Sequence, residues 1–193
     1  MANVVYRTSA GQSWISLESH LLSKGRLFIT DEITMKTASD FVQNLMYLRN
    51  ELPDIRVRVY INSPGGEINA GLMIYDFLKG LDSDYDIVCM GMAASMAAVI
   101  LAGGPKGRRC ILPHSKIMIH EPLLAGSIGG SASSIQRTAE SILKEKRILT
   151  EILMKDTERS MEDVEKAVSF DNYMNAKEAI EFGFCDKIIY SVI

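Results

Sequence analysis

Two residues have the type and setting for nucleophilic catalysis. Ser95 lies in Gly91-Met92-Ala93-Ala94-Ser95-Met96-Ala97-Ala98, where an apolar run passes into a helical stretch, and His120 closes the apolar run Ile117–Ile119 with Pro122 just beyond. A serine hydroxyl is a poor nucleophile until a base takes its proton, and histidine is the commonest base. Small neighbours let other segments approach Ser95 closely, and the start of a helix favours developing negative charge. Taken singly, each has an ordinary explanation: Ser95 as the N-cap of an Ala-rich helix, His120 as a structural histidine. Together they point to acyl transfer. His20 and His114 have no comparable setting.

A base needs an orienting carboxylate, and 24 acidic residues leave that choice open. Asp171 stands out because Ser169-Phe170-Asp171-Asn172-Tyr173 flanks it with aromatic residues just before a capped helix. A fourth element is Asn62-Ser63-Pro64-Gly65-Gly66, which follows the apolar run Val57–Ile61. Proline without an N–H and two permissive glycines allow a sharp turn that leaves N–H groups pointing into space, as an oxyanion hole requires. The same turn also serves as a plain connection.

The elements that must carry these residues follow from apolar runs alternating with amphipathic stretches. Strands are expected at Arg26–Thr30, Arg56–Asn62, Tyr85–Met90, Arg109–Leu112, Lys116–His120 and Lys187–Tyr190, and helices at Ala38–Asn50, Ile68–Leu78 and Ser95–Leu101. Repeated β-α crossovers imply an α/β fold with a mostly parallel sheet, whose sites lie at the carboxyl ends of strands. Two segments exceed a minimal repeat. One is the Gly-, Ser- and Ala-rich stretch Leu123–Ser134, followed by a long helical run, Ile135–Lys155, read as an assembly element. The other is Asn175–Gly183, with Asn175 and Glu178 in capping-box spacing.

The 193 residues fit one domain, 47% hydrophobic and 23% charged, with a formal charge of −3 that argues against nucleic-acid binding. Met1–Gly25 lacks the basic cluster and apolar run of a signal peptide, and the apolar stretch Met90–Gly103 is too short and interrupted to span a bilayer. A cytoplasmic protein without membrane association is expected. Cys89, Cys110 and Cys185 have no metal spacing and read as buried packing residues.

From Arg26 to Ile189 the sequence resembles the ClpP family, the proteolytic subunit of ATP-dependent Clp protease. The likeness rests on Tyr60-Ile61-Asn62-Ser63-Pro64-Gly65-Gly66, Ala70-Gly71, Ile74-Tyr75-Asp76, Cys89 to Met96, Met118-Ile119-His120-Glu121-Pro122-Leu123 and Asp171 to Ala176, in one order. The resemblance implies a ClpP/crotonase-like spiral of ββα units over residues 1–193. Residues 1–25 would form an axial segment and first helix, and 123–158 a handle made of a Gly-rich strand and a long helix. It implies Ser95 as nucleophile, His120 as general base, Asp171 as its orienting carboxylate, the backbone N–H groups of Gly66 and Met96 as oxyanion hole, and extended substrate beside Ile68 and Leu123. No metal and no cofactor are implied. The expected partners are copies of this chain in a heptameric ring or a stacked tetradecamer, unfolded protein substrates, and an AAA+ unfoldase of the ClpX, ClpA or ClpC type that consumes the ATP. This chain has no P-loop.

Several positions depart from that family's pattern. Ser169 and Phe170 stand where an acidic residue and an arginine usually bridge two rings, and Arg58 and Gly80 where aromatic side chains usually receive the unfoldase. The stretch after Pro122 is two residues longer. These departures support a second reading, a structural or regulatory paralogue with low activity until another ClpP-type subunit joins it. A third reading, a crotonase-type acyl-CoA enzyme, would leave Ser95, His120 and Asp171 without a joint purpose.

Overall fold

Val57, Val59 and Ile61 are fully buried because they face a layer of helices, and their strand is an interior one, paired on both sides. The computed structural model describes residues 2–8, 11–81, 85–123 and 129–191. It opens with an antiparallel hairpin, β1 (Asn3–Thr8) and β2 (Gly11–Ser16), and a short helix α1 (Leu17–Leu22). Strands and helices then alternate through β3 (Arg26–Ile29), α2 (Met35–Glu51), β4 (Val57–Ser63), α3 (Ile68–Lys79), β5 (Tyr85–Ala94) and α4 (Met96–Ala102), before two strands in succession, β6 (Arg109–Ile111) and β7 (Lys116–Ile119). The chain ends through α5 (Ala132–Thr157), α6 (Met161–Val168), β8 (Asn172–Asn175), α7 (Ala176–Phe182) and β9 (Lys187–Ile188).

Strands β3, β4, β5, β6 and β9 pair in parallel in that order. Strand β5 is ten residues long, and its two halves have different neighbours. Ile87–Cys89 pairs with β6, whereas Met92–Ala94 pairs with β7, which in turn carries β8 antiparallel. The continuous apolar cluster lies between the sheet and the helices, with Leu45, Ile74, Met96, Ile100 and Leu101 almost wholly inaccessible. A second, smaller cluster is formed by Tyr60, Val88 and Cys110 with Met90 and Ile189 packed against them, and Phe28 stacks on Tyr60 at 5.2 Å. The fold is therefore the α/β arrangement with a mostly parallel sheet that the sequence implied.

The strands and helices expected from apolar runs are each found within a few residues. The Gly-rich stretch expected as a handle strand, Leu123–Ser134, forms no strand among the described residues: 124–128 lie outside them, and Ala132 to Ser134 already belong to α5, the 26-residue helix that covers the long helical run expected there. Its base is held by buried polar bonds. Tyr75 donates to Asp156 at 2.8 Å, Lys79 Nζ donates to the other oxygen at 2.8 Å, and Arg109 donates to the carbonyls of Ala102, Asp156 and Gly183 while pairing with Asp186. Burial first, then the Asp156 carboxylate, pushes the Tyr75 hydroxyl far up from its ordinary value, so it stays a donor. Before Thr150, by contrast, α5 buries none of its residues. No helix among the described residues is long and apolar enough to cross a membrane.

Candidate active site

Ser95 connects β5 to α4 in a conformation that L residues rarely adopt, φ 53° and ψ −123°. Its backbone N–H donates to Met118 O at 2.8 Å, and its carbonyl accepts from Ala98 and Val99, so the turn is fixed from both sides. It occupies the N-cap position, yet its side chain makes no capping hydrogen bond. The capping reading of Ser95 therefore fails; the residue is partly exposed at the head of α4.

The glycine turn packs against this residue. A Cβ on Gly65 would lie 2.5 Å from Ala94 O, 2.7 Å from Ser95 Cβ and 3.0 Å from Met96 N, and Gly65 has φ 91°. Only glycine fits there. Buried Ser63 stabilises the turn, donating to Asp31 O at 2.5 Å and accepting from Gly65 N at 3.1 Å. Ile33 then bridges to Gly66 in parallel, with Ile33 N donating to Gly65 O and Glu67 N to Ile33 O. In such a bridge the bonded groups belong to the residues on either side, so the N–H of Gly66 itself turns away from Ile33. The Met96 N–H, in the first turn of α4, is one of the helix's uncommitted donors.

His120 follows the last residue of β7 and is partly buried. The β7–β8 ladder ends at Ile119↔Asn172, and its next step would set His120 across from Asp171. The two chains leave register there. Glu121 N donates to Val168 O at 2.9 Å, whereas the ladder would have placed residue 170 opposite residue 121. The bond caps the end of α6 and loops out Ser169, Phe170 and Asp171. Asp171 is accordingly exposed, and the buried Nδ1 of His120 has no hydrogen-bond partner.

A cavity of about 250 Å³ is lined by Ser95, His120, Gly66, Met96, Ile68 and Leu123 together. Six of the seven site residues expected from sequence thus meet at one cleft, and Asp171 is not among the residues that line it. Sequence reasoning missed the cleft's inner wall, Val99, Leu149, Thr150, Leu153 and Val168, and its rim, Glu121 and Lys146. Lys146, Leu149, Thr150 and Leu153 recur at helical spacing on α5, a stripe that could have been read as facing one target.

The departures are also placed. Ser169 Oγ donates to Lys166 O at 2.8 Å and Phe170 is 59% exposed, so neither contributes an ion pair. Arg58 and Arg56 both pair with Asp86, at 3.5 and 2.7 Å, beside the Phe28–Tyr60 stack, and Gly80 is the C-cap of α3. Among the described residues no group of three His, Cys, Asp or Glu side chains could hold a metal ion. A family model described as Clp protease matches residues 9–192.

Proposed function

The chain belongs to the Clp protease family, and from that premise we propose that it is a serine endopeptidase cleaving unfolded proteins and short peptides through an acyl-enzyme. Ser95 Oγ attacks the scissile carbonyl carbon as His120 takes its proton, and the N–H groups of Gly66 and Met96 hold the resulting oxyanion. The protonated His120 gives that proton to the leaving amine, the C–N bond breaks, and the acyl group remains on Ser95. Water, deprotonated by the same imidazole, then hydrolyses the ester. Asp171 orients His120 and stabilises its charged form. Extended substrate lies beside Ile68 and Leu123. The reaction needs no cofactor or metal; copies of the chain enclose it in heptameric rings in the cytoplasm, and an AAA+ unfoldase feeds them.

The observation that supports this best is Ser95 itself: a strained, non-capping serine at a helix start, sharing one cleft with His120 and with two uncommitted N–H groups. Hydrolysis of a short fluorogenic peptide by wild type and Ser95→Ala, with assembly mass measured on the same samples, tests it. Activity that vanishes in Ser95→Ala supports the proposal; equal activity in both overturns it.

One observation favours the second reading. The unpartnered Nδ1 of His120 beside an exposed Asp171 is what a subunit would show if its triad closes only against a partner subunit. Under that reading the chain alone is nearly inactive, and mixing it with a typical ClpP subunit raises turnover in a Ser95-dependent way.

A further inference from the structure

Glu121 is attached to two helices at once. Its backbone N–H caps α6 at Val168 O, 2.9 Å away, and its carboxylate accepts from Lys146 Nζ of α5 at 2.5 Å. Both side chains are partly exposed at the rim of the cleft, 36% and 44% accessible. The residue before it is His120, whose ring has no hydrogen bond at Nδ1 to hold it. Where a catalytic ring lacks its own orienting bond, the backbone on either side sets its direction. On the β7 side that backbone is fixed by the ladder; on the other side Glu121 anchors it through both its N–H and its carboxylate. Lys146 lies four residues before Thr150, where α5 first becomes buried, so the pair ties the histidine loop to the unburied part of the helix.

We infer that Glu121 and Lys146 are a positioning pair for His120, through which the placement of α5 sets the direction of the general base. The inference rests on the proposed roles of Ser95 and His120. An exposed ion pair is a modest constraint, so its loss should slow the serine's reaction about 2- to 5-fold rather than abolish it. Neither residue touches the reacting atoms.

The test is the rate at which a small, uncharged dialkyl fluorophosphonate labels Ser95 in full-length wild type, Glu121→Gln, Lys146→Met and the reversed pair Glu121→Lys with Lys146→Glu. Melting temperature is measured on each protein. The expected result is slower labelling of both single variants at unchanged melting temperature, and recovery towards the wild-type rate in the reversed pair. Wild-type rates in the single variants overturn the inference while leaving the peptidase reading intact. Slowing that tracks a lower melting temperature, or that the reversed pair does not relieve, overturns it as well. Failure of the wild type itself to label removes the peptidase reading and this inference with it.

Discussion

Asp171 lies one step past the last β7–β8 pair, where a continued ladder would set it across from His120, but it is looped out and exposed while the ring nitrogen it would serve is buried without a partner. The looping-out of Ser169 and Phe170 separates two residues that the ladder would otherwise align. If Asp171 is the orienting carboxylate, Asp171→Asn in the assembled protein should lower kcat by roughly 10³-fold or more with little change in KM. A kcat within a few-fold of wild type would assign the orientation of His120 elsewhere.

Gly65 has no room for a methyl group beside Ala94 O and Ser95. Gly65→Ala should therefore displace the turn that sets Ser95 against the Gly66 and Met96 N–H groups. The measurements are peptide hydrolysis and urea unfolding on one preparation. Activity should fall by at least about 10²-fold, the scale of a lost oxyanion donor. Wild-type turnover would show that the turn does not shape the site.

The pairing of Arg109 with Asp186 makes stability depend on acid. Burial alone would raise the Asp186 carboxyl, but hydrogen bonds from the Arg109 side chain and backbone outweigh it and hold the group below the usual carboxylate range. A carboxyl depressed in the folded state stabilises fully above its unfolded value, about 3.9, and loses that contribution as pH falls through the folded value. Urea midpoints of wild type and Asp186→Asn should differ by a constant amount from pH 5 to 8 and converge only below about pH 4. A gap that changes near neutrality would exclude this pair as its source.

All three cysteines are buried, and burial pushes the Cys89 thiol up to about 12 and raises Cys110 and Cys185 as well. Thiolate is the reactive form. A disulfide reagent at pH 8 should consume no thiol in the folded protein and three per chain in denaturant. Rapid reaction of one thiol in the native state would mean local opening around it.

Much of the sheet was legible because β4 and β5 are apolar runs that only a covered strand accommodates. Strand β8 was hidden for the opposite reason: in Asn172–Asn175 only Met174 is buried, and the strand exists because β7 offers it an edge. Helix α6 was missed because it is only eight residues long, although Ser160, which accepts from Asp163 N, stands three residues before an acid in a spacing the sequence does show. The cleft was legible wherever glycine and proline mark a turn. Ser95 was the exception, since a positive φ at serine leaves no trace in composition and the residue reads as a cap. The excursion at 169–171 was illegible because it depends on which carbonyl Glu121 bonds, a tertiary choice.

No residue of α5 before Thr150 is fully buried, and apart from the Lys146–Glu121 pair and the packing of Leu149, residues 132–145 have little beyond their own propensity to hold them helical. Such a segment is marginal in water by itself, and any copy that packs on it stabilises it by mass action. Its order should then report concentration: amide exchange in this segment should slow as the protein is made more concentrated, while exchange in β4 and β5 stays the same. Through Lys146 and Glu121, dilution would be felt at His120.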